Sequence, residues 1–271
     1  MNLFDIIENI SNADPEFQDR ISPRRAAIKN ITSFGSKVAV AALPFAFSTL
    51  FKKAYGQTAT TNVNDVLNFA LTAEYLESSF YNKYVPKSYV PAADKPGLQL
   101  IQMDENNHVK FLKSVLGSAA IASPTFDFSG GSGSGNGPFA AVETDYDTFL
   151  ALAQAFEDTG ERAYKGQATN LMGNATVLTA ALNIHSVEAR HASHLRRMRQ
   201  LRGVAIKPWK TGTQSGITVP AAAAVYVGED NTTQAGVNIA GIVNTNAATE
   251  AFDEPLDKTS VVNILTLFIK A

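Results

Sequence analysis

The chain has 271 residues, 45% hydrophobic and 18% charged, with a formal charge of −2 and no cysteine. This length allows a substantial core in one or at most two domains. Without cysteine there are no disulfides and no thiolate metal sites, so a transition metal would have to be held by carboxylates and imidazoles. Near-neutral charge without a basic cluster in the part expected to fold argues against a nucleic-acid partner.

Taken in chain order, residues 1–56 read as a targeting segment. Ser22-Pro23-Arg24-Arg25-Ala26-Ala27-Ile28-Lys29 precedes an apolar run from Val38 to Phe51, then Lys52-Lys53 and the small-residue site Ala54-Tyr55-Gly56. This resembles a twin-arginine export signal, with Pro23 in place of the first Arg of the pattern and Ala27 in place of its Phe. The resemblance implies the twin-arginine export machinery as a partner, a periplasmic location and a mature chain beginning at Gln57. That route carries proteins already folded, often with a cofactor in place. The apolar run is short and interrupted by Pro44, which argues against a membrane span; an amphipathic N-terminal helix or retained anchor is the alternative.

From Asn64 to about Tyr84, Leu67, Ala70, Leu71, Phe80 and Tyr81 recur at helical spacing, with Glu74 interrupting the stripe. A turn from Val85 to Gly97 leads to a second helix, Leu98–Leu116, which carries Glu105-Asn106-Asn107-His108 and stops at Gly117. Residues 118–144 include Ser129-Gly-Gly-Ser-Gly-Ser-Gly-Asn-Gly-Pro138 and read as a long, flexible crossover. A third helix is expected from Asp145 to about Leu171 and a fourth from Ala175 to about Arg202, its arginines placed where the helix dipole favours cations. This fourth helix carries Glu188 and His191, three residues apart and therefore on one face.

The two halves repeat. Glu74 stands 31 residues before Glu105, and Glu157 stands 31 before Glu188, so a single offset of 83 relates the halves. Tyr81 and Tyr164 follow their glutamates by seven and obey the same offset. Glu77 and Glu161 also lie near the inner faces, but Glu77 maps to Gly160 and Glu161 to Ser78. The repeat therefore selects Glu74 and Glu157, leaving Glu77 and Glu161 to support the ligands from behind or to face solvent. His185 and His194 map to Gln102 and Phe111 and gain no ligand role.

Four carboxylates and two imidazoles inside a bundle would be costly as bare charges. Two divalent ions resolve that conflict, with Glu105 and Glu188 bridging and one further Glu and one His on each ion. A hydrogen-bonded polar network that has lost its metal is the alternative. Tyr81 and Tyr164 are candidate catalytic residues, placed to hydrogen-bond a ligand or donate an electron; packing in the core is the other role open to them.

Residues 62–202, with Glu74, Glu105-x-x-His108, Glu157 and Glu188-x-x-His191, resemble the ferritin-like superfamily and its di-iron pattern. The runs L-N-F-A-L-T-A-E-Y-L-E-S-S-F-Y, A-F-E-D-T-G-E-R-A-Y and V-E-A-R-H are more specifically similar to exported bacterial ferritin-like domain proteins, as are Gly228-Glu229-Asp230-Asn231 and Ala251–Leu256. The resemblance implies an all-α fold: a four-helix bundle over residues 57–202 with a long crossover between helices two and three, holding two iron ions or, alternatively, two manganese ions.

Residues 203–271 read as an irregular extension over the bundle, with short strands, Trp209 alone after Pro208, and a final helix from near Thr259. That helix either caps the bundle or meets a second copy in a homo-oligomer. The expected function is an exported di-metal protein that oxidises Fe(II) or reduces oxygen or peroxide. Manganese-catalase-like peroxide disproportionation and a non-catalytic, stress-protective envelope protein are the alternatives. Mineral storage in a cage suits the long crossover and large extension less well.

Overall fold

The computed structural model describes residues 62–270; the expected export signal lies outside them. Four long helices form the bundle: α1 (Val63–Tyr84), α2 (Lys95–Leu116), α3 (Tyr146–Gln167) and α4 (Ala175–Leu201). Three begin on a side-chain cap: Asn62 accepts from Asn64 N at 3.0 Å, Asp145 from Thr148 N at 2.7 Å and Asn174 from Val177 N at 3.1 Å. Helix α2 instead starts three residues earlier than the sequence predicts, because Pro96, which reads as a turn residue, sits in the first helical turn where its missing N–H costs nothing.

Helices α1 and α2 form one hairpin, α3 and α4 a second, and α1 packs on α3. Aromatic rings fill one end: Phe80 stacks on Phe149 at 5.2 Å and meets Phe156 edge-on at 5.1 Å, and Phe156 meets Phe268 at 4.9 Å. Aliphatic residues, among them Leu67, Leu71, Leu112, Leu116 and Ile184, fill the other end. The polar residues singled out by the repeat lie between these two clusters.

The glycine-rich crossover is organised rather than loose. Asp127 is buried and gathers it: Oδ1 accepts from Ser129 N at 3.0 Å, and Oδ2 accepts from Gly133 N at 2.8 Å and Gly135 N at 2.9 Å. The C-terminal segment fastens the same stretch through Asp127 N to Phe268 O, 2.7 Å, and Lys270 N to Thr125 O, 2.9 Å. A carboxylate with several backbone partners thus replaces the hydrophobic contacts the glycines cannot make.

The extension contains a 3-10 stretch Pro220–Tyr226, a two-stranded hairpin β1 (Thr233–Gln234) and β2 (Val237–Asn238), and helices α5 (Thr245–Glu250) and α6 (Lys258–Thr266). It docks on α3 and α4 through buried charges. Arg162 Nε donates to Glu254 O at 2.8 Å and lies 2.9 Å from Glu229 Oε1, while Lys210 pairs with Glu161 and, at 3.1 Å, with Asp253. Arg199, in the last turn of α4 where the helix dipole favours a cation, also joins this docking by donating to Ser215 O at 2.9 Å, while Arg196 pairs with Asp158 of α3 at 2.7 Å inside the bundle. Helix α6 packs on α1 and α3, so within the chain it caps the bundle.

Gly166 lies where the backbone of the extension comes close to α3. A Cβ there would run into the Leu256 carbonyl, and Leu256 N donates to Arg162 O at 3.1 Å. On a free helix Gly→Ala is favourable; here Gly166→Ala is expected to reverse that sign and cost about 1–3 kcal/mol. A thermal melt lowered by several degrees checks it.

Candidate metal centre

Glu74 from α1, Glu105 from α2, Glu157 from α3 and Glu188 from α4 are each fully buried and converge at mid-bundle. One oxygen or nitrogen from each of Glu74, Glu105, His108 and Glu188 lies within 4.8 Å of the others, and so does one from each of Glu105, Glu157, Glu188 and His191. Two ligand sets therefore overlap, sharing Glu105 and Glu188, and all six residues selected by the repeat are brought together.

Each imidazole turns Nδ1 inward. His108 Nδ1 lies 3.2 Å from Glu74 Oε2, 3.2 Å from Glu105 Oε2 and 3.3 Å from Glu188 Oε1. His191 Nδ1 lies 2.9 Å from Glu105 Oε1 and 3.1 Å from Glu157 Oε2. One ring nitrogen cannot donate to three carboxylates. Although an imidazole is near, Glu74 Oε2, Glu105 Oε1 and both oxygens of Glu188 have no well-directed donor. Buried acceptors left this way are expensive unless cations meet them, and two divalent ions would meet all of them.

The two tyrosines bind crosswise. Tyr81 donates to Glu157 Oε1 at 2.5 Å, and Tyr164 donates to Glu74 Oε1. Each phenol thus serves the glutamate of the opposite half, because α1 and α3 run antiparallel. Burial first, then the Glu157 charge on Tyr81 and the Glu74 charge on Tyr164, hold both phenols protonated.

Burial, followed by the charges of Glu157 and Glu74, pushes Glu105 up to about 8. Burial and the charge of Glu105 raise Glu188 well above the usual range. For His191, burial opposes protonation, but the Glu157 charge and hydrogen bonds to Glu105 and Glu157 outweigh it and push the ring up to about 12. The cluster by itself takes up protons to offset its own negative charge.

Two residues of the site were not selected by the repeat. Asp104 Oδ2 lies 3.2 Å from His191 Nε2 and holds the ring with Nδ1 facing the carboxylates. It maps to Val187 under the offset, so the repeat conceals it. Glu77 does not face solvent: it is 2% exposed, and burial and then the charge of Glu188 raise it well above the carboxylate range. Its counterpart Gly160 makes room for it, since a Cβ there would lie 2.8 Å from Glu188 Oε2 and 3.0 Å from Glu77 Oε1. Glu161 lies outside the centre, buried and paired with Lys210. His185 Nδ1 turns to Glu161 O at 3.0 Å, and His194 is exposed against Gly97.

Asp104→Ala is expected to lower metal affinity about 10–100-fold while leaving the fold intact, as loss of the partner of a ligating imidazole does. Competition with a chelator, beside an unchanged circular dichroism spectrum, checks it.

No curated protein matches the chain. Compared with known families, residues 62–201, just over half of the chain, match the ferritin-like domain. With the bundle, the repeat and the acidic centre in agreement with that match, the chain belongs to the ferritin-like domain family.

Proposed function

We propose that the chain is an exported di-metal protein that oxidises Fe(II) with oxygen or peroxide. The observation that carries this reading is the pair of overlapping ligand sets sharing Glu105 and Glu188, whose buried oxygens lack donors. Glu74 and His108 would complete one ion's ligands, Glu157 and His191 the other's. A bound pair of iron ions would supply redox chemistry at neighbouring positions. The chain's own residues do the rest: the bundle's two apolar ends exclude bulk water, Tyr81 Oη and Tyr164 Oη each hold a proton against a ligand carboxylate, and Asp104 fixes the His191 ring.

The oxidising reaction separates this reading from its rivals. Purified protein is expected to consume oxygen when given Fe(II) and to disproportionate peroxide slowly. Rapid peroxide disproportionation with two manganese ions bound would favour the catalase-like reading, and no turnover with either would favour a structural role. The Arg24-Arg25 segment supports export. Converting both to Lys is expected to retain the chain in the cytoplasm, read by cell fractionation; an unchanged distribution would remove export from the account.

A further inference from the structure

The offset of 83 relates not only the ligands but also the residues on either side of them. Phe80 and Phe156, packed edge-on at 5.1 Å at one end of the α1/α3 interface, map to Ala163 and Ala73 at the other. Where two aromatic rings seal one approach to the centre, two methyl groups stand on the opposite approach. The space they leave is a cavity of about 20 Å³ between α1, α3 and α4, widened by Ala70 and Ala181. That is room for one small molecule.

The cavity borders the centre through two of its lining residues. Ala73 directly precedes Glu74, and the Tyr164 ring that lines the cavity carries the hydroxyl donating to Glu74 Oε1. The lining is otherwise apolar apart from Gln167, whose amide oxygen accepts from Asn170 Nδ2 at 2.9 Å. Water or peroxide held there would need two or more convergent polar partners, which this lining does not provide, whereas an apolar cavity of this kind takes up apolar gases. The polar, partly exposed side of the centre lies elsewhere, where Asp104 is 40% exposed beside His191.

We propose that the alanine-lined cavity between α1, α3 and α4 is the route by which dioxygen, rather than peroxide, reaches the centre. The proposal rests on the di-metal reading and narrows its oxidant to an apolar diatomic gas.

Xenon is the probe. Metal-loaded full-length protein is expected to show saturable xenon binding by xenon NMR. Ala163→Phe, which restores the residue the other half carries, is expected to abolish it, with Ala70→Leu as the variant should the larger ring prevent folding. In the xenon-negative variant the rate of Fe(II) oxidation by dioxygen should fall about tenfold or more, while the rate with peroxide changes less than about twofold. Three results would each overturn the proposal: no xenon binding by the wild-type protein, an unchanged dioxygen rate in a xenon-negative variant, or equal slowing with both oxidants. Metal content measured on the same samples keeps the two readings apart. Wild-type protein without metal sinks the di-metal centre, whereas absent xenon binding with two ions in place sinks the cavity route alone.

Discussion

Glu188→Gln is expected to empty the centre and, at the same time, to stabilise the protein stripped of metal. Glu188 is fully buried, belongs to both ligand sets and has no well-directed donor to either oxygen. Glutamine keeps its shape but removes the charge that both ions would share. Metal content should fall below about one ion per chain, and Fe(II) oxidation by at least about 100-fold, the upper end of what loss of an outer partner alone costs. Without metal, the same change removes one of several crowded buried carboxylates and supplies an amide donor to its neighbours, a gain of about 1–3 kcal/mol. Elemental analysis and a melt of chelator-treated protein read both arms. A purely structural polar network predicts the opposite stability change, because there Glu188 would already be a satisfied member of the network.

The second large effect is a reversal of pH dependence on metal loading. Glu105 is raised to about 8, and Glu188 and Glu77 are raised well above their ordinary value. Between the unfolded carboxylate range near 4.5 and the folded values, the native state binds more protons than the unfolded chain, so stability falls as pH rises. His191, raised to about 12 from 6.5, acts in the same direction above its unfolded value. Metal-free protein should therefore melt at its highest temperature in mild acid and lose stability steadily towards pH 8 and beyond. Metal binding needs the same carboxylates ionised and Nδ1 of both imidazoles unprotonated, so metal-loaded protein should gain stability over that window. Melts of both forms across the range should cross. Parallel curves would show that protons and metal do not compete for these groups.

The bundle and its six converging residues were legible because the chain states them twice. A single match of Glu-x-x-His is weak, but Glu74, Glu105, Glu157 and Glu188 share one offset, and the structure brings them together with His108 and His191. The repeat is blind where the halves differ. Asp104 faces His191 from a position whose counterpart is Val187, and Glu77 occupies space that exists only because its counterpart is Gly160. Partnerships between the bundle and the extension were equally hidden. Arg162 on α3 is buried against Glu229 of the extension, a contact set by tertiary docking rather than local periodicity. The glycine-rich crossover reads as loose because composition registers its glycines and not the one carboxylate, Asp127, that gathers their amides.

If two metal ions are what offsets the charge of this acidic core, protein as purified should carry them. Elemental analysis of full-length protein purified without chelators or added metal tests it most directly. About two transition-metal ions per chain are expected, removed by chelation and restored with release of protons. Fewer than about one ion per chain, in protein whose melt is indifferent to added iron or manganese, would contradict it.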